Sequence, residues 1–351
     1  MATQRGAVTL SDIALRTGVS KVTVSSVLNG RATSNVRVSD PTRQRILAAA
    51  REMGYHPNAV ARALTRRRTD TVALVLHSPA AFSGGSGFIS ALMHGVVEAV
   101  NALGYDLMLH TAERQDAQRE ALALTDGRVD GVLLLRDRDD PLVGQLEERG
   151  FSNVSIFSRP DITDPWFVDG DNVAGGRIAG EYLLSLGHRN IGFVAGPERS
   201  APVSDRLAGL RAALVGAGID GPAQVCRIKH PADDLSELAA WFDPAKGGAT
   251  APTAVFVWSD DVALRVVTLL REVCGLRVPE DVSVIGYDGT DAIGEHSVPR
   301  LTSIRQPIYD IATRGVQTLV ARIRSPEEAQ RQQLFPPTLV VRDSCAPPPT
   351  T

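Results

Sequence analysis

GVSKVTVSSVLNG, residues 18–30, is the stretch on which the reading of the N-terminal region turns. Val24, Val27 and Leu28 recur at i, i+3 and i+4, the spacing of one helix face. The opposite face carries Lys21, Val22, Ser25 and Ser26, which is one cation, one branched apolar side chain and two hydroxyls. Upstream, Leu10, Ile13 and Ala14 repeat the same spacing over residues 10–17. Gly18 is free to take a positive φ and so ends that first helix. Ser20 then caps a second helix over 21–29. Two short helices joined by a glycine-containing turn of about three or four residues make a helix-turn-helix. In a DNA major groove, the N-terminal side chains of the second helix reach base edges. Lys21 can donate to guanine N7 and O6, Val22 can pack on a thymine methyl, and Ser25 can bond a phosphate or a base. A structural helical hairpin with a polar outside is the alternative that these spacings leave open.

Working outward, SDPTRQRILAAAREMGYHP predicts a third helix. Asp40 is its expected cap and Pro41 its first helical residue, where a missing N–H costs nothing. Ile46, Leu47, Ala50 and Met53 form its core stripe, and Gly54 stops it. The next stretch, HPNAVARALTRRRTD, is too short for a stable lone helix in water. Its exposed Leu64 and basic tail suit a segment that folds only against a partner. Two copies side by side could enter a minor groove, with Leu64 wedged between base pairs; an ordinary basic linker is the alternative.

Charge separates this region from the rest. Residues 1–70 hold 12 Lys and Arg against 4 Asp and Glu, a net +8, while the remainder holds 25 against 36, a net −11. A small basic head on a large acidic body implies that only the head meets a polyanion. Cys226, Cys274 and Cys345 lie far apart without metal spacing and fit a reducing compartment. No signal-peptide pattern and no run near the roughly 20 apolar residues of a membrane span occurs. A cytoplasmic, nucleoid-associated bacterial protein with no membrane partner is the expectation.

From Thr71 onward, short Val/Leu/Ile runs alternate with amphipathic stretches: TVALVL, YDLMLH, GVLLLR, NVSIFS, then NIGFVAG, QVCRI, TAVFVW and VSVIGY. Near-continuous apolar strands with intervening helices mean parallel sheets covered on both faces. Two such units in about 275 residues imply two doubly wound subdomains, with a ligand at the carboxyl ends of the strands between them. Neither a dinucleotide fingerprint, a Walker lysine, H-E-x-x-H nor G-x-S-x-G occurs. No catalytic residue, metal or cofactor is therefore expected.

VTLSDIALRTGVSKVTVSSVLNG followed by TRQRILAAAREMGYHPNAVARAL resembles the DNA-binding head of the lactose-repressor (LacI/GalR) family. The family pattern is met at Thr9, Leu10, Asp12, Ile13, Ala14, Gly18, Val19, Ser20, Thr23, Val24 and Ser25. The body resembles the family too, and thus the periplasmic sugar-binding fold, in DNVAGGRIAGEYLLSLGHRNIGFVAGP, DRLAGLRAAL, VPEDVSVIGYDGTD and LTSIRQP. The resemblance implies an all-α helix-turn-helix head on an α/β body of two doubly wound parallel-sheet subdomains. It implies Lys21 and Val22 as the base-reading pair, with Thr9, Ser20, Thr23, Ser25 and Asn29 as phosphate or backbone contacts and Leu10 among the DNA-binding residues; in the loop NGRATSNVRVSD, Arg31 and Arg37 could add phosphate contacts. It also implies hinge contacts from Asn58, Ala61, Arg62 and the intercalating Leu64. Ser26 departs from the arginine usual there and cannot make a bidentate guanine contact.

For the ligand, the resemblance implies Arg206, whose fork of donors grips hydroxyls or carboxylates. It adds Asp288 as acceptor, Phe88 on the wall, Asp171 and Asn172 in a crossover loop, and Ser259 beside a bulky Trp258 where asparagine is common. The implied boundaries are a head over 1–57, a hinge over 58–70, and a first subdomain over 71–161 plus 305–333. A second subdomain covers 162–304 plus 334–344, and 345–351 is expected to be a disordered tail. The expectation is a homodimeric repressor, bound to a near-palindromic double-stranded operator and released by a sugar-like effector. The rivals are a solute-binding protein without a DNA role and a sugar- or nucleotide-modifying enzyme.

Overall fold

The computed structural model describes residues 8–28, 38–55, 63, 66, 68–76, 86–110, 116–221, 224–228, 233–243, 251–327 and 329–349. The chain divides into two compact units at residues 70 and 71.

The first unit is built from α1 (Leu10–Thr17), α2 (Lys21–Leu28) and α3 (Asp40–Glu52). Thr9 opens α1 with a reciprocal capping box to Asp12, and Gly18 closes it at φ 66°. Ser20 Oγ accepts from Thr23 N at 3.1 Å, satisfying one of the orphan donors of α2. Asp40 is not the cap of α3. It is the first helical residue, and Ser39 stands at the cap with its hydroxyl paired to Thr42 Oγ1 at 2.9 Å. Asp40 thereby places its carboxylate in the first turn, where the helix dipole favours it. Ile13, Val24, Val27, Ile46, Ala49 and Ala50 bury a small core, flanked by Val19, Leu28, Leu47 and Met53.

The second unit holds two six-stranded sheets. The first runs β11-β5-β4-β3-β1-β2, all parallel. Its strands are β1 (Thr71–Leu76), β2 (Asp106–His110), β3 (Gly131–Leu135), β4 (Asn153–Ile156), β5 (Phe167–Gly170) and β11 (Gln332–Phe335). The second runs β12-β10-β9-β8-β6-β7, parallel except for the β10–β12 pair. Its strands are β6 (Ile191–Ala195), β7 (Gln224–Arg227), β8 (Ala254–Val257), β9 (Ser283–Asp288), β10 (Thr302–Arg305) and β12 (Thr338–Val340). Separate apolar clusters cover the two faces of each sheet, as buried parallel strands require.

Six helices position the site. In the first half they are α4 (Gly87–Leu103), α5 (Ala117–Leu124) and α6 (Pro141–Glu148); in the second, α7 (Asn172–Ser185), α8 (Ala201–Gly216) and, after the short α9 (Ser236–Trp241), α10 (Asp260–Glu272). The short α11 (Asp291–Gly294) follows β9, and α12 (Ile308–Arg324) packs back onto the first sheet. The chain first passes between the sheets after Gly170, not near residue 161, because β5 pairs with β4 and β11 in the first sheet. Asp161–Asp164 is a loop between two strands of one sheet. The other two passages follow Arg305 and Phe335.

The expected disordered tail spans residues 345–351; of these, 350 and 351 lie outside the described residues, and Cys345 and Ala346 are bonded to the second half. Ser344 is fully buried: its carbonyl accepts from Val284 N at 2.8 Å and its hydroxyl from Thr302 N at 2.9 Å. Ala346 N donates to Ser283 Oγ at 3.0 Å, and His188 Nε2 lies 2.8 Å from the Ala346 carbonyl. The proline run hid this, since its composition reads as disorder while its neighbours supply the bonds.

Candidate functional site

On the head, α2 presents Lys21 and Val22 to solvent. Val22 is 63% exposed, an apolar side chain left outside a core that takes Val24 and Val27. Thr23, Ser25 and Ser26 are half-buried along the same helix, and Thr9 and Ser20 sit at exposed caps. Leu10 is half-buried against the head core. Asn29, Arg31, Arg37, Asn58, Ala61, Arg62 and Leu64 lie outside the described residues.

In the body, the carboxyl ends of the strands gather the other candidates. Arg206, on α8, is only 4% exposed. Its Nε donates to Asn172 Oδ1 at 2.9 Å, its Nη1 donates to the Trp258 carbonyl, and its guanidinium lies 3.5 Å from the centroid of the Tyr287 ring. Gly176 and Gly209 let α7 and α8 touch backbone to backbone: a Cβ at Gly176 would collide with the Arg206 carbonyl. That close approach brings Arg206 to the start of α7, where Asn172 Nδ2 in turn donates to Asp169 and to the Gly170 carbonyl.

Asp288 ends β9 at φ 106°, a strained backbone for a non-glycine residue. Its Oδ1 accepts from Gln306 Nε2 at 2.8 Å, while Gln306 Oε1 is buried without a partner. Burial pushes the Asp288 carboxyl up to about 7, against the pull of Arg206 and Gln306. Burial likewise lifts Asp169 to about 7, against the Gly170 N–H and Arg206. Asp260 is raised by burial and then by the Asp288 charge, although Ser303 and the Thr290 N–H donate to it.

The remaining candidates are less directly available. Asp171 caps α7 by accepting from Ala174 N at 2.9 Å, and Ser259 caps α10 by accepting from Val262 N at 3.4 Å. Phe88 stands edge-on to Phe157 with centroids 4.9 Å apart, packed on the first-sheet core. Trp258 is half-buried against Gly196, and its indole N–H has no partner.

Sequence reading missed Asp169, Asp260, Tyr287 and Gln306. Their shared signal was a polar group at the carboxyl end of an apolar strand, as in FVDG and WSDD. The halves also meet across the cleft. Ser86 Oγ donates to Asp261 at 2.7 Å, Arg199 Nε lies 2.9 Å from Asp139, and Arg159 pairs with Asp205. Among the described residues no group of His, Cys, Asp and Glu has metal-holding geometry, and no helix is long and apolar enough to cross a membrane.

A helix-turn-helix unit with a solvent-facing second helix, followed by a two-sheet unit with a polar cleft, defines the class of ligand-responsive DNA-binding regulators. The pattern of bacterial regulatory proteins of the lacI family matches residues 9–58, and that of a periplasmic-binding-protein-like domain matches residues 181–345. The transcriptional regulator CelR of Thermobifida fusca is 36% identical over 96% of this chain and 98% of its own. The regulator DegA of Bacillus subtilis is 31% identical over 97% and 98%. Among solved structures, a CelR–cellobiose complex superposes with a TM-score of 0.71 at 34% identity, covering 96% of this chain and 99% of that one. The lac repressor dimer bound to operator and the anti-inducer ONPF superposes with a TM-score of 0.82 at 28% identity, covering 97% and 99%. The chain belongs to the LacI family of bacterial regulatory proteins.

Proposed function

We propose that this protein is a homodimeric repressor that binds a near-palindromic operator and is released by a small sugar. The observation that carries the reading is the pairing, on one chain, of an exposed Lys21–Val22 helix face with a buried Arg206–Asp288 cleft. Two heads on a two-fold dimer would meet two half-sites. Lys21 and Val22 read bases, while Thr9, Ser20, Thr23 and Ser25 serve the backbone. Asn29, Arg31 and the hinge residues Asn58, Ala61, Arg62 and Leu64 add contacts by the family resemblance. In the cleft, Arg206, Asp288, Asn172 and Trp258 are the primary ligand candidates, with Asp171, Ser259 and Phe88 supporting them. The protein works in the cytoplasm on nucleoid DNA and performs no chemistry on its effector. An effector acts only through a difference in its affinity for the operator-bound and released states.

Footprinting of the full-length protein on its own promoter, with cellobiose and other saccharides added singly, tests this. The expected result is a protected, two-fold-symmetric site that one saccharide class reopens. Absence of any protected site overturns the regulator reading; protection that no saccharide relieves overturns the effector class.

A further inference from the structure

We propose that Arg159 is a positioning residue for the effector site: through Asp205 it ties closure of the two halves to the seating of Arg206. The inference rests on the cleft being an effector site and concerns what holds it shut.

Contacts between the halves fall into two groups, set apart by strand order. Ser86 and Gly87, after β1, meet Asp261 and Thr290, after β8 and β9. The Ser86 hydroxyl donates to Asp261 at 2.7 Å, and a Cβ on Gly87 would come within 2.6 Å of Thr290 Oγ1. Asp139 and Arg159, after β3 and β4, meet Arg199 and Asp205, which both follow β6. Arg199 lies just before α8, and Asp205 is the residue before Arg206 within it.

The two ion pairs are crossed in sign. The first half offers Asp139 and Arg159, and the second offers Arg199 and Asp205. Sliding the halves to exchange partners would set arginine against arginine and aspartate against aspartate, so the pairs admit one register. They are unequal in strength. Arg199 and Asp139 are 52% and 48% exposed, a setting in which an ion pair is worth little. Arg159 and Asp205 are 37% and 17% exposed, so their attraction is screened less and carries the constraint.

The chain is bent to deliver Arg159. Phe157, which follows β4, sits at φ 53°, a left-handed conformation that is costly for a bulky residue. Ser158 is then buried, and Arg159 reaches α8. The Phe157 ring stands edge-on to Phe88 with centroids 4.9 Å apart, and Phe88 is the chain neighbour of Gly87. Within the first half, one aromatic contact therefore joins the two groups. Within the second, Asp205 and Arg206 share a turn of α8, and Arg206 is held by Asn172 and the Trp258 carbonyl. Losing the Arg159 pair should loosen α8 at Arg206 and also the distant contacts of Ser86 and Gly87.

The test is hydrogen–deuterium exchange of the full-length protein without ligand, read by mass spectrometry. The amides to follow are those of 90–93, 204–207 and 263–266, near the starts of α4, α8 and α10. Arg159→Ala and Asp205→Ala should each speed exchange about fivefold in all three segments, with the double variant no faster than either single one. Arg159→Lys, which keeps the charge, should stay within about twofold of wild type. Acceleration confined to 204–207, no acceleration, or single effects that add in the double variant overturns the proposal. Calorimetric titration with cellobiose supplies the effector readout, where Arg159→Ala should bind about fivefold more weakly and Arg159→Lys nearly as wild type. Undiminished affinity in Arg159→Ala overturns the link to Arg206. A wild-type protein that does not bind cellobiose counts against the sugar reading alone, and the exchange result then decides the role of Arg159 by itself.

Discussion

At Asp288 the backbone and the carboxyl are both held where an isolated aspartate would not stay. The residue combines φ 106° with burial against Gln306 and within the field of Arg206. Such strain persists only where surrounding contacts impose it, and it clusters at functional positions. The raised carboxyls have a consequence for pH. Unfolded, Asp169 and Asp288 titrate near 3.8; folded, they titrate at about 7. Between those values the folded chain holds protons that the unfolded chain has lost, so their contribution to stability falls as pH rises through that window. Asp288→Asn should therefore flatten the decline in Tm between pH 5 and 7.5, and an unchanged slope would show that the carboxyl is ionised throughout. Arg206→Lys keeps the charge but loses the fork and the stacking plane. It should abolish effector-driven release from the operator, leave effector-free operator affinity within about twofold, and cost about 3 kcal/mol of body stability. Fluorescence anisotropy on labelled operator, with and without effector, separates these effects; full release by effector would remove Arg206 from the site.

Elements with a strong period were legible in the sequence, and those defined by pairing partners were not. The stripes at 10, 13, 14 and 24, 27, 28 placed α1 and α2, because a three-helix head buries little else. The apolar runs placed β1 to β4 and β6 to β9 for the same reason. FVDG, by contrast, has no length or alternation that says which sheet it joins. Its membership is set by hydrogen bonding to β4 and β11, the latter more than 160 residues away. The cleft was legible in part. Of the candidates that the resemblance named, Arg206 donates to Asn172 and its charge acts on Asp288, while Asp169, Asp260 and Gln306 emerged only when strand ends were brought together. Of the glycines of DNVAGG, which carry no phosphate motif, Gly176 serves helix packing and Gly175 makes room for the Tyr287 ring of β9. Gly176→Ala should force α7 from α8 at the Arg206 carbonyl and cost about 1–3 kcal/mol as overpacking. Effector affinity should drop in parallel, since Arg206 moves with its backbone. Thermal melts and effector titration of the variant check both, and a wild-type melt would mean that the helices separate freely.

Across the whole molecule, charge and connectivity divide the labour. The basic head confines polyanion binding to about 70 residues, and the acidic remainder is repelled by the same DNA. The body depends on its last residues, which composition alone assigned to disorder. The tail lies along the second half beyond β12, where Ser344 and Ala346 pair with Val284, Thr302, Ser283 and His188. Because Nε2 of His188 faces a carbonyl, it carries a proton, and Nδ1 lies 2.9 Å from Thr253 Oγ1. Burial pushes the His188 pKa down, against the Ala346 carbonyl that accepts from the ring, so the neutral ring is favoured. Deleting residues 343–351 would strip partners from Val284 N, Thr302 N and the Ser283 hydroxyl. Each orphaned group costs about 1–3 kcal/mol if it stays dry, and less where water reaches it. A total of about 2–4 kcal/mol corresponds to a fall of roughly 5–15 °C in Tm. The loss should appear in the body transition with the head unaffected, because the two units have separate cores. Calorimetric scans of the full and shortened chains decide the matter, since a disordered tail could be removed with no change in either transition.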